Sequence, residues 1–305
     1  MAVKESPLER ARINALKKTA TIFMTRKVRI GDESYTRWFL LPNRFRKPSK
    51  EHEPEVINVY ATALKLRKGA FIDVGVNKGQ TLTKLLAIDK NRQYIGFEPQ
   101  SMAAACAEGF LIENGITNFS VFPVALSDRN GTMPMNVMGA GLMSMASPRA
   151  SLVTGFRPGD YYGYTRNVCV ARGDDIVNSM DVSEIAIIKI DAEGGELEVV
   201  RGFDSTIDKF RPILLIEVLP SRLKGVGELD EEAANFRKTR RQELERIIRS
   251  KRYGVYQIIG NKGIQKVDQI EPKAMSARNF IAVPEEGESE FCTSLGISSV
   301  VTAEP

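Results

Sequence analysis

Five acidic positions stand where acids could do chemistry. Asp73 lies within the apolar run Ala70 to Val74, and Glu98 follows 25 residues later, after the run Gln93 to Phe97. Asp191 and Glu193 close the strongly apolar stretch Ile185 to Ile190, and Glu217 closes Ile213 to Ile216. An acid at the carboxyl end of a second parallel strand is placed to accept hydrogen bonds from ribose hydroxyls. Asp191 and Glu193 are candidates for taking a proton from a reacting group, with Glu217 third. Lys189 sits inside its apolar run, so its ammonium must find partners or a cleft and is a candidate electrostatic partner. His52 is the only histidine and precedes the first of these acids, which argues against a histidine base.

The elements that hold these acids follow from pattern. Ala70 to Val74 is fit for a strand buried on both faces, Gly75 to Gly79 breaks the pattern, and Gln80, Thr81 and Leu82 begin a helical one. Glycine at 75 and 79 leaves room for a ligand to approach the backbone, and the helix opening offers free N–H groups. A dinucleotide fingerprint would need glycine at 77, where this chain has Asn77. The turn therefore suits a nucleoside without a tightly cradled diphosphate.

Along the chain, Pro7 to Lys18 has the spacing of a short amphipathic helix, Tyr35 to Leu41 is extended and carries the only tryptophan, Trp38, and Val56 to Leu66 is helical. Ser101 opens a helix that Gly115 can end, and Phe119 to Val124 is a third strand with Ala125 to Asp128 at its ligand-binding edge. This β-α-β-α-β order implies a parallel sheet with right-handed crossovers. Residues 129–184 interrupt it. There, Thr132 to Val137 and Leu142 to Met145 read as a hairpin or flap, and five of the ten methionines lie between 133 and 145, as in a substrate-facing lid. Tyr161, Tyr162 and Tyr164 are rings that could stack on a sugar. Strands return at Ile185, Ile213, Tyr253 and Asn279, and the helix over Asp230 to Arg252 reads as having a solvated basic face with Arg237, Arg240, Arg241 and Arg249. The expected architecture is α/β: a Rossmann-like, seven-stranded, mostly parallel sheet spanning 53–284, with the last strand antiparallel, a basic extension over 1–52, the insertion between the third and fourth strands, and a loosely held tail over 285–305.

Composition sets outer bounds. The 305 residues are 43% hydrophobic and 27% charged, enough for one large enzyme domain with a filled core. Cys106, Cys169 and Cys292 have no metal or redox spacing, and no run of about 18 apolar residues occurs, so a cytoplasmic location is expected. Residues 1–50 hold 13 Lys and Arg against 4 Asp and Glu, a net of +9, which leaves −4 for the rest of the +5 total. That arm is the candidate for peripheral contact with an anionic surface.

The segment Phe71-Ile72-Asp73-Val74-Gly75-Val76-Asn77-Lys78-Gly79, the Gly96-Phe97-Glu98-Pro99 turn, Ala125 to Asp128, the block Ile188-Lys189-Ile190-Asp191-Ala192-Glu193-Gly194-Gly195-Glu196 and its continuation to Gly202, and Arg211 to Glu217 together resemble the FkbM family of S-adenosylmethionine (SAM) methyltransferases. The likeness runs in order over roughly residues 68–220, and the Lys-Ile-Asp-x-Glu-Gly block is its most specific part. It implies a class I methyltransferase fold, SAM as cofactor with S-adenosylhomocysteine as product, and O-methylation of hydroxyls on a sugar, glycan or secondary metabolite. Relatives often have Leu-Asp-Asp where this chain has Gly173-Asp174-Asp175, and a histidine where this chain has Leu219, which removes one base. Candidate cofactor contacts are Asp73, Gly75, Asn77, Gly79, Thr81, Glu98, Pro99, Ala125 and Asp191. Candidate catalytic residues are Asp191, Glu193, Lys189 and Glu217.

A divalent metal such as magnesium would find oxygen ligands in the carboxylate pair, and no spacing in the sequence decides for or against it. The acceptor is expected to be a small molecule or glycan. A second reading uses the basic arm to methylate RNA or protein, though no interleaving of aromatic and basic residues marks an RNA module. A third is a module that binds SAM without turnover.

Overall fold

The structure, a computed structural model, describes residues 22–30, 33–41, 55–139, 147, 149–157, 162–220, 231–260 and 263–295. The predicted helix over Pro7 to Lys18 lies outside these residues, as do Leu142 to Met145 and Tyr161.

A two-stranded antiparallel hairpin, β1 (Ile22–Ile30) and β2 (Glu33–Leu41), precedes the main body, with Trp38 in its second strand. The main body then alternates as expected: α1 (Glu55–Leu66), β3 (Ala70–Val74), α2 (Gln80–Ile88), β4 (Tyr94–Phe97), α3 (Ser101–Glu113) and β5 (Phe119–Phe122). After an interruption come α4 (Gly173–Ser179), β9 (Ile185–Ile190), α5 (Glu196–Gly202), α6 (Asp204–Phe210), β10 (Ile213–Glu217), α7 (Glu231–Ser250), β11 (Tyr253–Ile258), β12 (Ile264–Lys266), β13 (Asn279–Pro284) and α8 (Glu288–Ser294).

The central sheet has the order β12-β11-β13-β10-β9-β3-β4-β5. The neighbours from β10 to β5 are parallel, and β13 runs antiparallel between β10 and β11. This is the Rossmann-like, mostly parallel α/β sheet expected from the sequence, with its final strand reversed. The sheet has eight strands instead of seven, because the three residues of β12 pair with β11 at the edge. A strand that short carries too little periodicity to be read in a sequence.

The middle strands β3 and β9 are apolar apart from Asp73 and Lys189, because helices cover both faces. On one side, Phe71, Ile187, Leu215 and Ile281 pack with Val59, Leu82 and Phe110; on the other, Ile72, Ile188, Ile216 and Ala282 pack with Val199, Phe203 and Leu244. Where a loosely held tail was expected, α8 docks with Phe291 and Cys292 buried. The face of α7 departs more strongly from expectation. Arg237 and Arg241 are buried, not solvated, and Arg237 donates through Nε to the carbonyl of Phe156 at 2.6 Å.

The interruption is a separate three-stranded sheet: β6 (Ala125–Ser127) beside β8 (Tyr164–Arg172) beside β7 (Gly131–Val137). Thr132 to Val137, read as part of a hairpin or flap, forms an antiparallel ladder with the distant β8, and its suggested partner Leu142 to Met145 lies outside the described residues. Register follows burial, since Met135 and Val137 share a core with Val168, Val170 and Ala125. No described helix is long and apolar enough to cross a membrane.

Candidate active site

The carboxyl ends of β3, β4 and β9 meet at one cleft. Gly75 and Asn77 come from the β3 turn, Glu98, Pro99 and Gln100 from the end of β4, Asp191, Ala192, Glu193 and Gly195 from the end of β9, and Ala125 from β6. Met135, Ser147, Ala150 and Leu152 of the insertion line it as well.

Gly75 is required by a backbone contact. A Cβ there would stand 1.9 Å from the carbonyl oxygen of Asp191, and its φ of 82° is one that side chains rarely adopt. The two turns interlock further, because the Asp191 N–H donates to Val74 O at 3.0 Å and the Gly75 N–H to Phe97 O at 2.9 Å. Gly79, also left-handed, is the N-cap of α2. Neither Gly79 nor the buried Thr81 lines the cleft; both belong to the junction between turn and helix.

Glu98 is buried and its two oxygens are already in use. Oε2 accepts the Asn77 N–H at 2.8 Å, and Oε1 accepts the Gln100 N–H at 3.0 Å and Gln100 Nε2 at 3.3 Å. Burial raises its carboxyl above the usual range, against those N–H bonds. A carboxylate offers about four lone-pair directions, three of them taken here, so Oε2 can still accept from a ribose hydroxyl.

Beneath the turn lies a buried charge chain. Asp73 and Lys189 are register partners on adjacent strands, and their side chains pair at 3.2 Å. Tyr94 donates to the other Asp73 oxygen at 2.9 Å. Gly96 makes room for that ring, since a Cβ there would press on the Tyr94 ring and Val76. Lys189 Nζ also reaches Gly75 O at 3.0 Å and the Asp191 carboxylate at 3.5 Å. Burial alone would lower the Lys189 ammonium, but Asp73 and Asp191 outweigh it and hold the group above its ordinary value. Asp73 and Lys189 thus lie under the cleft wall and are not among the residues lining it.

Asp191 and Glu193 face the cleft together. Glu193 has a left-handed φ of 49° and an ion pair with Arg157 of the insertion. Burial and the Asp191 charge push its carboxyl up to about 7, with Arg157 opposing. No side chain caps α5, whose N-cap is Gly195, so neither Asp191 nor Glu193 is spent on capping. Glu196 Oε1 instead braces the preceding loop, accepting the N–H groups of Gly194 at 3.0 Å and Ala192 at 3.2 Å. Sequence reasoning did not single out Glu196, Arg157, Gln100 or Ser147.

Glu217 does not join the cleft. It sits beside Asp191 at the end of the neighbouring strand, but its carboxylate pairs with Arg278 at 2.7 Å. Tyr162 and Tyr164 are likewise absent from the lining. Among the described residues no group of three or more His, Cys, Asp or Glu side chains is arranged to hold a metal ion.

The residues present fit an adenosine-type cofactor. Beyond the ribose acid and the glycine turn, Asn77 Oδ1 and Ser147 Oγ are buried in lining residues without a hydrogen-bond partner, as groups that expect a ligand would be. The model of the methyltransferase FkbM domain matches residues 73–253, more than half of the chain. A curated relative, the 2-O-methyltransferase NoeI of Sinorhizobium fredii, is 29% identical over 154 residues, 46% of this chain. The match spans 59% of that relative's length. Among solved structures, a methyltransferase FkbM from Methylobacillus flagellatus KT is 15% identical with a TM-score of 0.40, covering 73% of this chain and 47% of that one. A SAM-dependent O-methyltransferase from Thermotoga maritima is 10% identical with a TM-score of 0.34, covering 85% and 77%.

Proposed function

The chain belongs to the FkbM methyltransferase family, and from that footing we propose that it transfers the methyl group of SAM to a hydroxyl of a sugar, glycan or secondary-metabolite acceptor, releasing S-adenosylhomocysteine. The observation that carries this reading is that Glu98 and the Asp191–Glu193 pair line one cleft. The printed description of NoeI as a 2-O-methyltransferase supports the choice of oxygen as acceptor.

Bound SAM would supply a methyl group made electrophilic by its sulfonium. Glu98 accepts from the ribose hydroxyls, the Gly75 and Asn77 backbone admits the cofactor against the turn, and Pro99 and Ala125 pack beside it. Asp191 offers a carboxylate to cationic groups of the cofactor, with Lys189 fixing its place. Glu193 is the general base. A carboxyl poised near 7 takes a hydroxyl proton more readily than an ordinary glutamate, and a positioned base contributes about two to four powers of ten in rate. Transfer of that methyl group would break its carbon–sulfur bond, with the electron pair left on sulfur, and Glu193 would take the proton of the acceptor hydroxyl. The insertion's lining residues exclude water and hold the acceptor in line.

The test has two stages. Calorimetry with S-adenosylhomocysteine measures cofactor affinity, and no affinity would overturn the reading. Glycan and metabolite extracts incubated with the protein and methyl-deuterated SAM are then screened by mass spectrometry. A labelled methyl ether, absent with Glu193→Gln, is the expected result; label on nitrogen or carbon would refute O-methylation.

A further inference from the structure

Ser147 raises a question that the ribose and carboxylate contacts do not answer. It is buried, it lines the cleft, and its Oγ has no hydrogen-bond partner. A buried hydroxyl in that condition carries a desolvation cost that a polar ligand atom would remove.

The backbone of Ser147 is held in place by one side chain from across the cleft. Gln100 Nε2 donates to the Ser147 carbonyl at 2.8 Å, and the Ser147 N–H donates to Gln100 Oε1, also at 2.8 Å. Both ends of the amide are thereby committed to one residue 47 positions away. Gln100 is in turn tied to Glu98 through its own N–H and Nε2, and the other oxygen of Glu98 accepts the Asn77 N–H. Hydrogen bonds therefore run unbroken from the glycine turn through the ribose acid to Ser147.

From Ser147 the chain leads to the acceptor side. Ser151 Oγ donates to the Glu193 carbonyl at 2.8 Å, Ser151 and Asn136 exchange both backbone bonds, and Arg157 pairs with the Glu193 carboxylate. Ala150 and Leu152, between these anchors, line the cleft. Ser147 is thus fastened to the ribose acid, and residues 149–157, the rest of this strap, to the proposed base.

Resting on the cofactor reading above, we propose that Ser147 is a cofactor contact, that Gln100 is the positioning residue that delivers it, and that adenosine seated on Glu98 steadies this strap beside Glu193. The coupling is reciprocal, because whatever steadies the strap must also tighten the cofactor.

The experiment needs no acceptor. Calorimetry with S-adenosylhomocysteine is run on the wild type, Ser147→Ala, Gln100→Met and the double variant, and hydrogen exchange is followed in peptides covering residues 73–81 and 147–157. Loss of one neutral hydrogen bond should weaken binding about 3- to 10-fold in Ser147→Ala. Gln100→Met should weaken it at least as much, and the double variant should be no weaker than Gln100→Met alone, because an undelivered hydroxyl has nothing left to lose. The ligand should slow exchange in both peptides of the wild type but only in 73–81 of Gln100→Met. Should that variant fail to fold, Ser147→Ala, which removes one oxygen, carries the test through its affinity alone. Additive losses in the double variant, slowed strap exchange in Gln100→Met, unchanged affinity in Ser147→Ala, or no slowing of strap exchange in a wild type that binds the ligand would each overturn the proposal. A wild type without affinity for the ligand would instead overturn the cofactor reading beneath it.

Discussion

The carbonyl oxygen of Asp191 occupies the space that a Cβ on Gly75 would need, 1.9 Å from its ideal position. The first cofactor turn and the loop bearing the proposed chemistry are therefore built against each other, backbone to backbone. Gly75→Ala must part them or strain the left-handed turn, and neither neighbour is a flexible side chain. The expected result is a loss of roughly 2–4 kcal/mol in stability, with cofactor affinity falling further than stability does. Urea unfolding and calorimetry with S-adenosylhomocysteine measure the two effects, and near-wild-type values in both would show that the turn gives way freely.

Glu193 should dominate the pH dependence of turnover. Its carboxyl sits at about 7, so the rate should climb as pH rises through that value and the base loses its proton. Glu193→Gln should abolish that inflection and cost about 10²–10⁴ in rate. Asp191→Asn removes a charge that raises Glu193, so any residual activity should show its inflection moved to lower pH. An inflection left in place by Asp191→Asn would separate the two acids.

Lys189 is held by Asp73 at 3.2 Å and Asp191 at 3.5 Å inside the sheet. Lys189→Met strands the fully buried Asp73 carboxylate and should cost about 3–5 kcal/mol. Adding Asp73→Asn removes the stranded charge and should recover part of that loss. Urea unfolding of the two singles and the double gives the coupling, and simple additivity would show that the pair does not act as a unit.

Glu196 links stability to pH with a definite sign. Burial pushes its carboxyl to about 7 from the ordinary 4.5. Between those values the folded chain keeps a proton that the unfolded chain has released, so stability falls as pH rises through the window. Thermal unfolding should show that fall in the wild type and a shallower one in Glu196→Gln. Glu193 adds a fall of the same sign, which is why the variant's slope should not vanish.

Much of this was legible from residue order alone. Strand and helix periods locate β3, β4, β9 and β10, and the acids at the ends of β4 and β9 do share one cleft. What escaped depends on contacts between distant segments. The pairing of β7 with β8 rests on the packing of Met135 and Val137 against Val168 and Val170, more than thirty residues downstream, which no local pattern announces. Arg237 reads as solvated because its own helix is highly charged, yet Phe156 stacks beneath it and accepts its hydrogen bonds. Glu217 was placed at the correct strand end, but Arg278, sixty-one positions later, claims its carboxylate. Gln100 and Ser147 show no pattern, since a single amide meeting a single peptide unit has no period.

The antiparallel strand Asn279–Pro284 lies between β10 and β11, both of which precede it in the chain. During synthesis on the ribosome, β10 already has β9 to pair with, while β11 has only the three residues of β12 until the wedge arrives. A nascent chain must therefore keep an open slot in its apolar sheet until Pro284 has emerged. That interval is when an exposed edge is most prone to pair with a neighbouring chain, and when a chaperone would have most to shield.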